Sequence, residues 1–128
     1  MDKVAGKISF LNEKNLTGCT VEVIKEPGRS HLILVEIEPT KLPFKTIMFY
    51  AHWDKQPPME AKWKEGLGPY TPVEKNGLLY GRGSADDGYG LFSAILAVKA
   101  CQQHKIPLHR IIMTFESSEE STAGTFPV

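Results

Sequence analysis

The sequence feature that most constrains the fold is a helix-forming segment between two short apolar segments. Residues 45–51 and 110–115 are rich in apolar residues and are typical of strands buried on both faces. Residues 88–104 have the length of a helix, and their first half is apolar on nearly all sides, which predicts burial. A strand, a helix and a strand in this order form a β-α-β unit with parallel strands and a right-handed crossover. The sequence therefore predicts an α/β fold class with a mixed sheet.

Two more strands are predicted before this unit. Residues 19–26 alternate between apolar and polar side chains, and residues 31–37 are apolar and β-branched. Pro27 and Gly28 lie between them and indicate a turn, so the two segments form a plausible antiparallel hairpin. Residues 2–14 are compatible with a short helix.

A long segment separates the apolar strand at 45–51 from the helix. Residues 56–80 are rich in Pro, Gly and Trp, which predicts a long ordered loop. We expect Trp63, Leu67 and Tyr70 to pin this loop to the rest of the molecule.

Composition excludes several classes of function. With 128 residues, the chain has the size of one domain or less. It carries 15 basic and 15 acidic residues, which argues against a nucleic-acid or membrane-surface partner. No apolar run approaches a membrane span, and the N-terminus resembles no signal peptide, so we expect a cytoplasmic location. Cys19 and Cys101 are accordingly expected to be reduced thiols.

Polar side chains that can bind ligands follow both strands of the β-α-β unit and precede its helix. In an open α/β sheet, ligands bind beyond the carboxyl ends of the strands. Three clusters that are distant in sequence would therefore converge on one edge of the sheet. They are His52 with Asp54, Asp86 with Asp87, and Glu116 with Glu119 and Glu120.

Each cluster alone also has a structural explanation. His52 could be a buried structural histidine, Asp86 and Asp87 could cap the helix, and the glutamates could lie on a solvated loop. Together, a histidine and several carboxylates suit Zn²⁺, with Co²⁺ or Mn²⁺ as alternatives. Two such ions would share a bridging carboxylate, and a neighbouring carboxylate would take a proton from the attacking water.

Another interpretation concerns the glycines before the helix. Gly81 and Gly83 begin a GxGxxG pattern, which would indicate a dinucleotide-binding loop if a strand directly preceded it. Asp86 stands at the third glycine position, and its charge would repel a pyrophosphate. The pattern therefore disfavours nucleotide binding.

Three motifs in order resemble the M20 metallopeptidase family, which includes carboxypeptidase G-like enzymes, carnosine-type dipeptidases and acetylornithine deacetylases. The motifs are Phe49 to Pro57 (FYAHWDKQP), Leu79 to Gly88 (LYGRGSADDG) and Phe115 to Glu120 (FESSEE). The resemblance implies part of a zinc-exopeptidase-like (phosphorylase/hydrolase-like) catalytic domain. It also implies hydrolysis of an amide bond in dipeptides, short peptides or N-acyl amino acids, and a homodimeric parent protein.

The resemblance also implies a role for each matching residue. His52 would bind one zinc ion, Glu120 the other, and Asp86 would bridge the two. Glu119 would be the general base, and Asp54 would orient the histidine that binds the other zinc. The peptide bond after Asp86 would be cis, as is typical of the family.

The sequence departs from the family pattern at two positions near these motifs. Ala51 replaces the common glycine before the first histidine, and Gly88 replaces a common lysine. The run from His52 to Pro57 is most similar to the dipeptidase branch, which favours a peptide substrate.

The family's two remaining metal ligands, an acidic residue and a histidine, lie beyond the last motif. We therefore expect residues 1–128 to be a partial catalytic domain without the dimerisation or lid domain, and to bind zinc weakly and be inactive alone. The alternative is a stand-alone, non-catalytic binding or assembly module derived from such a domain. His31, His104 and His109 are expected to be structural or surface residues.

Overall fold

The computed structural model of the protein describes residues 16–121. The helix suggested for residues 2–14 lies outside this range. Within it, no helix is both long and apolar enough to cross a bilayer. The elements are β1 (Cys19–Ile24), β2 (Leu32–Ile37), β3 (Thr46–His52), a short 3-10 helix (Glu60–Lys62), β4 (Val73–Lys75), β5 (Leu78–Tyr80), α1 (Tyr89–Gln103) and β6 (Arg110–Glu116).

A four-stranded mixed sheet with the order β1-β2-β6-β3 forms the centre of the fold. Strand β2 pairs antiparallel with both β1 and β6, which confirms the predicted hairpin. Strands β3 and β6 are parallel neighbours, and α1 lies between them in sequence, which confirms the β-α-β unit. Because the two strands are in parallel register, they end together at the pair His52 and Glu116.

The hydrophobic core lies between α1 and one face of the sheet. Every second residue of β2 and β6 is buried, and the residues between them are partly exposed. For residues 110–115 this differs from the predicted burial on both faces, because only one face of β6 lies in the core. Phe115, Ile33 and Met113 have 0% exposure, and each contributes about 1.5–3 kcal/mol through burial. From α1, the buried residues are Leu91, Ala94, Ile95 and Val98.

The apolar residues of α1 do not all reach this core. Phe92 is 53% exposed and Leu96 is 62% exposed. The expectation of a helix buried on nearly all sides is therefore wrong. Only one side of α1 faces the sheet, and in the described residues nothing packs over the other side.

The prediction that residues 45–51 are buried on both faces is also wrong. Strand β3 is an edge strand of the described sheet, with β6 as its neighbour. Met48 is 65% exposed and Tyr50 is 56% exposed. Only Ala51 and His52, at the end next to α1 and the polar clusters, are buried.

The segment between β3 and α1 is more regular than the predicted loop. Strands β4 and β5 form a hairpin, and Asn76 and Gly77 at its turn both have positive φ, at 55° and 75°. The Trp63 indole donates a hydrogen bond to the Pro58 carbonyl at 2.9 Å within this segment. The Arg82 guanidinium lies 5.8 Å from the centre of the Trp63 ring, which links the segment to the residues before α1. Tyr70 is 72% exposed, and the expectation that it pins the loop is wrong.

Candidate metal centre

The structure brings the three predicted clusters together at the carboxyl ends of β3 and β6. Ligand atoms of His52, Glu119 and Glu120 all lie within 4.8 Å of one another. The Nε2 atom of His52 is 3.2 Å from Oδ1 of Asp86 and 4.0 Å from Oε2 of Glu119. Residues 34 or more positions apart in the sequence therefore meet because two parallel strands and a helix begin or end at the same edge.

The imidazole of His52 is buried and is flanked by a carboxylate on each side. Its Nδ1 atom is 3.3 Å from Oδ1 of Asp54, opposite the contact of Nε2 with Asp86. Residues i and i+2 of an extended segment face the same way, which explains why the Asp54 side chain reaches His52. The resemblance implied that Asp54 orients a different histidine, whereas the histidine it contacts here is His52.

Asp54 also connects the first cluster to the third. Its Oδ2 atom accepts a hydrogen bond from the backbone N–H of Glu120 at 2.9 Å. One carboxylate therefore contacts the imidazole of one candidate ligand and holds the backbone of another. Its Oδ1 atom lies beside Nδ1 of His52 but makes no hydrogen bond, so the bond to the Glu120 N–H is the firm link between the two clusters.

The two adjacent aspartates have different environments. Asp87 accepts hydrogen bonds from the backbone N–H of Gly90 at 3.0 Å and of His52 at 3.4 Å. It thereby caps the start of α1 and ties it to the end of β3. The Asp86 side chain is 69% exposed and faces His52. The capping interpretation therefore fits Asp87, whereas Asp86 leaves an exposed carboxylate beside His52.

The peptide bond between Asp86 and Asp87 is trans, so the expectation of a cis bond is wrong. In the range 16–121, the one cis peptide bond precedes Pro43, far from this site in the sequence.

Gly88 is explained by a close backbone approach. A Cβ atom at this position would lie within 3.0 Å of the Gly83 carbonyl oxygen, a separation that real Cβ atoms essentially never show. The chain therefore has no room at residue 88 for the lysine that is common in the family it resembles.

Glu120 is held by a side chain that the sequence analysis did not single out. The Gln56 amide donates a hydrogen bond to Oε2 of Glu120. The other oxygen, Oε1, is buried and has no hydrogen-bond partner. Burial and then the charge of Asp86 raise the pKa of Glu120 above its ordinary value. A buried, unpaired carboxylate oxygen that faces other acidic groups is the arrangement expected of a cation ligand.

The charges around His52 also favour a bound cation. Burial lowers the pKa of His52, but Glu119, Asp54, Asp87 and Asp86 together raise it above the ordinary value. An imidazole and several carboxylates in one place form a donor set that suits Zn²⁺. The described residues therefore fit a divalent metal ion.

The other histidines lie away from this cluster. The Nδ1 atom of His109 accepts a hydrogen bond from the backbone of Lys45 at 2.9 Å, at the opposite end of β3. His104 is exposed at the end of α1, and His31 is partly buried before β2. Cys19 and Cys101 are thiols and not a disulfide, as expected.

The structure does not support the dinucleotide interpretation of Gly81 and Gly83. The segment before them is β5, a three-residue strand of the separate β4-β5 hairpin. A dinucleotide loop requires a strand of the central parallel sheet at this point.

Two residues near the site were assigned no individual role from the sequence, and the role of a third, Asp87, was left open. Gln56 and Lys55 lie on the segment after β3, where no residue pattern distinguishes a contact from a solvated side chain. Asp87 carried a signal, because a carboxylate at a helix start indicates a cap. Its identity as the cap depends on side-chain directions that the sequence does not give.

Comparison with known proteins identifies relatives along most of the chain. Residues 48–128 match the sequence profile described as peptidase family M20/M25/M40. An uncharacterized metallohydrolase of Methanocaldococcus jannaschii is 37% identical over 78 residues, which are 59% of this chain and 18% of that protein. A succinyl-diaminopimelate desuccinylase of Polaromonas sp. is 37% identical over 91 residues, which are 67% of this chain and 21% of that protein.

Solved structures share the fold. An M20 family metallo-carboxypeptidase of Sulfolobus solfataricus has a TM-score of 0.75 and 26% identity, over 93% of this chain and 26% of that one. Human carnosine dipeptidase 1 has a TM-score of 0.71 and 27% identity, over 94% of this chain and 26% of that one. The chain thus spans about a fifth to a quarter of the length of these relatives.

Proposed function

This chain belongs to the M20/M25/M40 peptidase family, and on that premise we propose that it serves metal-dependent hydrolysis of an amide bond in dipeptides or short peptides. The observation that carries the proposal is the convergence of His52, Glu119 and Glu120 within 4.8 Å. The buried oxygen of Glu120 without a hydrogen-bond partner supports it.

In this proposal His52, Asp86 and Glu120 would hold zinc, and Asp86 would be shared if two ions bind. Bound Zn²⁺ supplies a Lewis acid that polarises the amide carbonyl and lowers the pKa of the attacking water. The contribution of the three side chains is to offer imidazole and carboxylate atoms in a fixed arrangement. His52 is fixed by burial and by Asp54, and Glu120 is fixed by Gln56.

Glu119 is the general base of the proposed reaction. Its side chain is 46% exposed, and its Oε2 atom lies 4.0 Å from Nε2 of His52, so it can reach both the ligand cluster and an arriving substrate. It takes a proton from water as the oxygen attacks the carbonyl carbon. It then gives this proton to the nitrogen as the carbon–nitrogen bond breaks, which releases a neutral amine.

The complete site needs more ligands than the described residues offer. A catalytic zinc ion is typically held by three protein ligands, whereas this assignment gives each ion two, counting Asp86 twice. The matched regions are 18% and 21% of these relatives' length, and we propose that further ligands come from outside the described residues. We further propose that the 128-residue chain by itself binds zinc weakly and turns over little substrate, that the working protein is a homodimer, and that it acts in the cytoplasm.

N-acyl amino acids are the second candidate substrate class. Similarity to a succinyl-diaminopimelate desuccinylase favours them. Similarity to human carnosine dipeptidase 1 favours dipeptides, as does the motif from His52 to Pro57. Both classes require the same cleavage of an amide bond, and they differ in the group on the acyl side.

The test is an assay of the natural gene product, purified from its source, with a panel of dipeptides and N-succinyl amino acids. We expect zinc-dependent release of free amino acids, faster for the dipeptides, and loss of activity with a chelator. The variant Glu119→Gln should lower kcat by about 10²–10⁴-fold. If the natural product cleaves neither substrate class with any divalent metal, the hydrolase proposal is wrong and a non-catalytic module is the better account.

A further inference from the structure

Lys55 makes an unusual set of contacts for a surface lysine. Its ammonium group donates hydrogen bonds to the carbonyl oxygens of Trp53 at 3.1 Å and Asp54 at 3.2 Å, and also to that of Asp87. A lysine ammonium has three protons, and here all three are matched by carbonyl acceptors. The acceptors belong to two segments more than 30 positions apart in the sequence.

The aliphatic part of Lys55 is packed as well. A Cβ atom at Gly83 would lie within 3.0 Å of Cε and Cδ of Lys55, so the lysine stem occupies the place of a side chain there. Gly83 has a φ of 82°, which independently favours glycine. Lys55 therefore contacts both Gly83 and Asp87, which lie on either side of Asp86 in the segment before α1.

We propose that Lys55 is a positioning residue that fixes the segment carrying His52 and Asp54 relative to the segment carrying Asp86. Hydrogen bonds from an ammonium to carbonyl oxygens are charge-assisted, so they hold two segments together more firmly than neutral hydrogen bonds do. Groups that orient metal ligands without touching the metal typically alter metal affinity by 10–100-fold. The inference rests on the proposed function, because it assigns to Lys55 the arrangement of the ligands of that same site.

Residue 88 could not provide a cation at this place. Residue 88 lies next to Asp87, but the Gly83 carbonyl leaves it no space for a side chain. Lys55 reaches the Asp87 carbonyl from the neighbouring segment instead. A positive charge is thereby placed beside a group of carboxylates without occupying the cluster formed by His52, Glu119 and Glu120.

The test compares the natural gene product with its Lys55→Met variant in two measurements. The first is amide hydrogen exchange of the metal-free protein, followed by mass spectrometry of peptides that cover residues 83–90. The second is the Kd for Zn²⁺, from competition with a coloured chelator. We expect exchange in residues 83–90 to accelerate at least about tenfold and the Kd to rise by about 10–100-fold. Peptides from β2 should exchange at an unchanged rate.

Two further proteins make the comparison specific. Lys64→Met removes an exposed lysine from the same long segment and should change neither measurement. Lys55→Cys should behave as Lys55→Met does, and alkylation with 2-bromoethylamine should reverse its effect. In that reaction the thiolate displaces bromide and forms a thioether analogue of lysine. The natural protein is alkylated in parallel, because Cys19 and Cys101 also react. If Lys55→Met does not fold, Lys55→Gln, which keeps an amide donor but no charge, replaces it in both measurements.

The outcomes separate this inference from the proposed function. Unchanged exchange in residues 83–90 would show that Lys55 does not join the two segments and would overturn the inference. Faster exchange with an unchanged Kd would overturn it too, because the link would then be irrelevant to the ligands. If the natural protein binds no zinc, the proposed function fails first and the positioning role fails with it, whatever the exchange shows.

Discussion

Alanine in place of Asp87 should lower the free energy of unfolding, whereas alanine in place of Asp86 should weaken zinc binding. Asp87 accepts hydrogen bonds from the N–H groups of Gly90 and His52, so Asp87→Ala removes a helix cap and the acceptor for a second backbone donor. The loss of a cap costs about 1 kcal/mol. The bond to His52 is long at 3.4 Å, so its loss adds less than another ~1 kcal/mol. The free energy of unfolding should therefore fall by about 1–2 kcal/mol.

Asp86→Ala is the matched control. Its side chain is 69% exposed and faces His52, whose pKa is already raised by the surrounding carboxylates. Removal of Asp86 should change the free energy of unfolding of the metal-free protein by less than about 0.5 kcal/mol. It should weaken zinc binding more than tenfold, because the proposal makes Asp86 a ligand.

The assay combines urea-induced unfolding of the metal-free protein with a zinc titration of each variant. Asp87→Asn retains an oxygen that can cap the helix, so it should recover most of the stability that Asp87→Ala loses. The reasoning is refuted if Asp86→Ala is the more destabilised variant, or if Asp87→Ala unfolds at the same urea concentration as the unchanged protein.

Three further predictions concern the backbone, the pH dependence and the core. Gly88→Ala should destabilise the protein by about 1–3 kcal/mol through its clash with the Gly83 carbonyl, whereas Gly68→Ala, which has open space, should be nearly neutral in the same urea experiment. The pKa of His52 is raised above 6.5 in the folded protein, so its stabilising effect is complete below pH 6.5 and is lost as the pH rises through the folded value. The thermal midpoint of the metal-free protein should fall over that range, and a midpoint that rises would contradict the assigned direction. Phe115→Ala should cost about 3–5 kcal/mol, because Phe115 is 0% exposed, and calorimetry that shows a loss below 1 kcal/mol would refute its place in the core.

The sequence predicts the elements well where apolar residues follow one clear period. The apolar segments that form β3 and β6, and the length of α1 between them, determine the β-α-β unit and its parallel strands. The turn at Asn76 and Gly77 was also readable, because this pair favours a hairpin. The Pro and Gly residues nearby nevertheless favour an irregular loop over the two short strands that flank this turn.

Composition alone could not give the burial of β3 and α1. Met48 and Leu96 are as apolar as the residues of the core, yet both are more than half exposed. Burial depends on which neighbours cover each face, and this is a property of the assembled sheet. An apolar segment therefore predicts a strand or helix better than it predicts how many of its faces are covered.

The candidate ligands were predictable because sheet topology, and not side-chain detail, brings them together. His52 and Glu116 end parallel strands in direct register, so the polar residues that follow them must meet. Backbone turns and rotamers decide the different contacts of Asp86 and Asp87. They also decide the contacts of Lys55 and Gln56. These turns and rotamers are set by close approaches such as that of Gly88 to Gly83.

The most direct test of the metal centre is a zinc titration of the natural gene product beside its Glu120→Gln and Glu119→Gln variants. The proposal makes Glu120 a metal ligand and Glu119 the general base that transfers the proton. It predicts that Glu120→Gln raises the Kd for zinc at least about tenfold. It also predicts that Glu119→Gln changes this Kd by less than about threefold while lowering kcat by about 10²–10⁴-fold. The account is contradicted if the natural protein binds no zinc. It is also contradicted if the natural protein and its Glu120→Gln variant bind zinc with equal affinity.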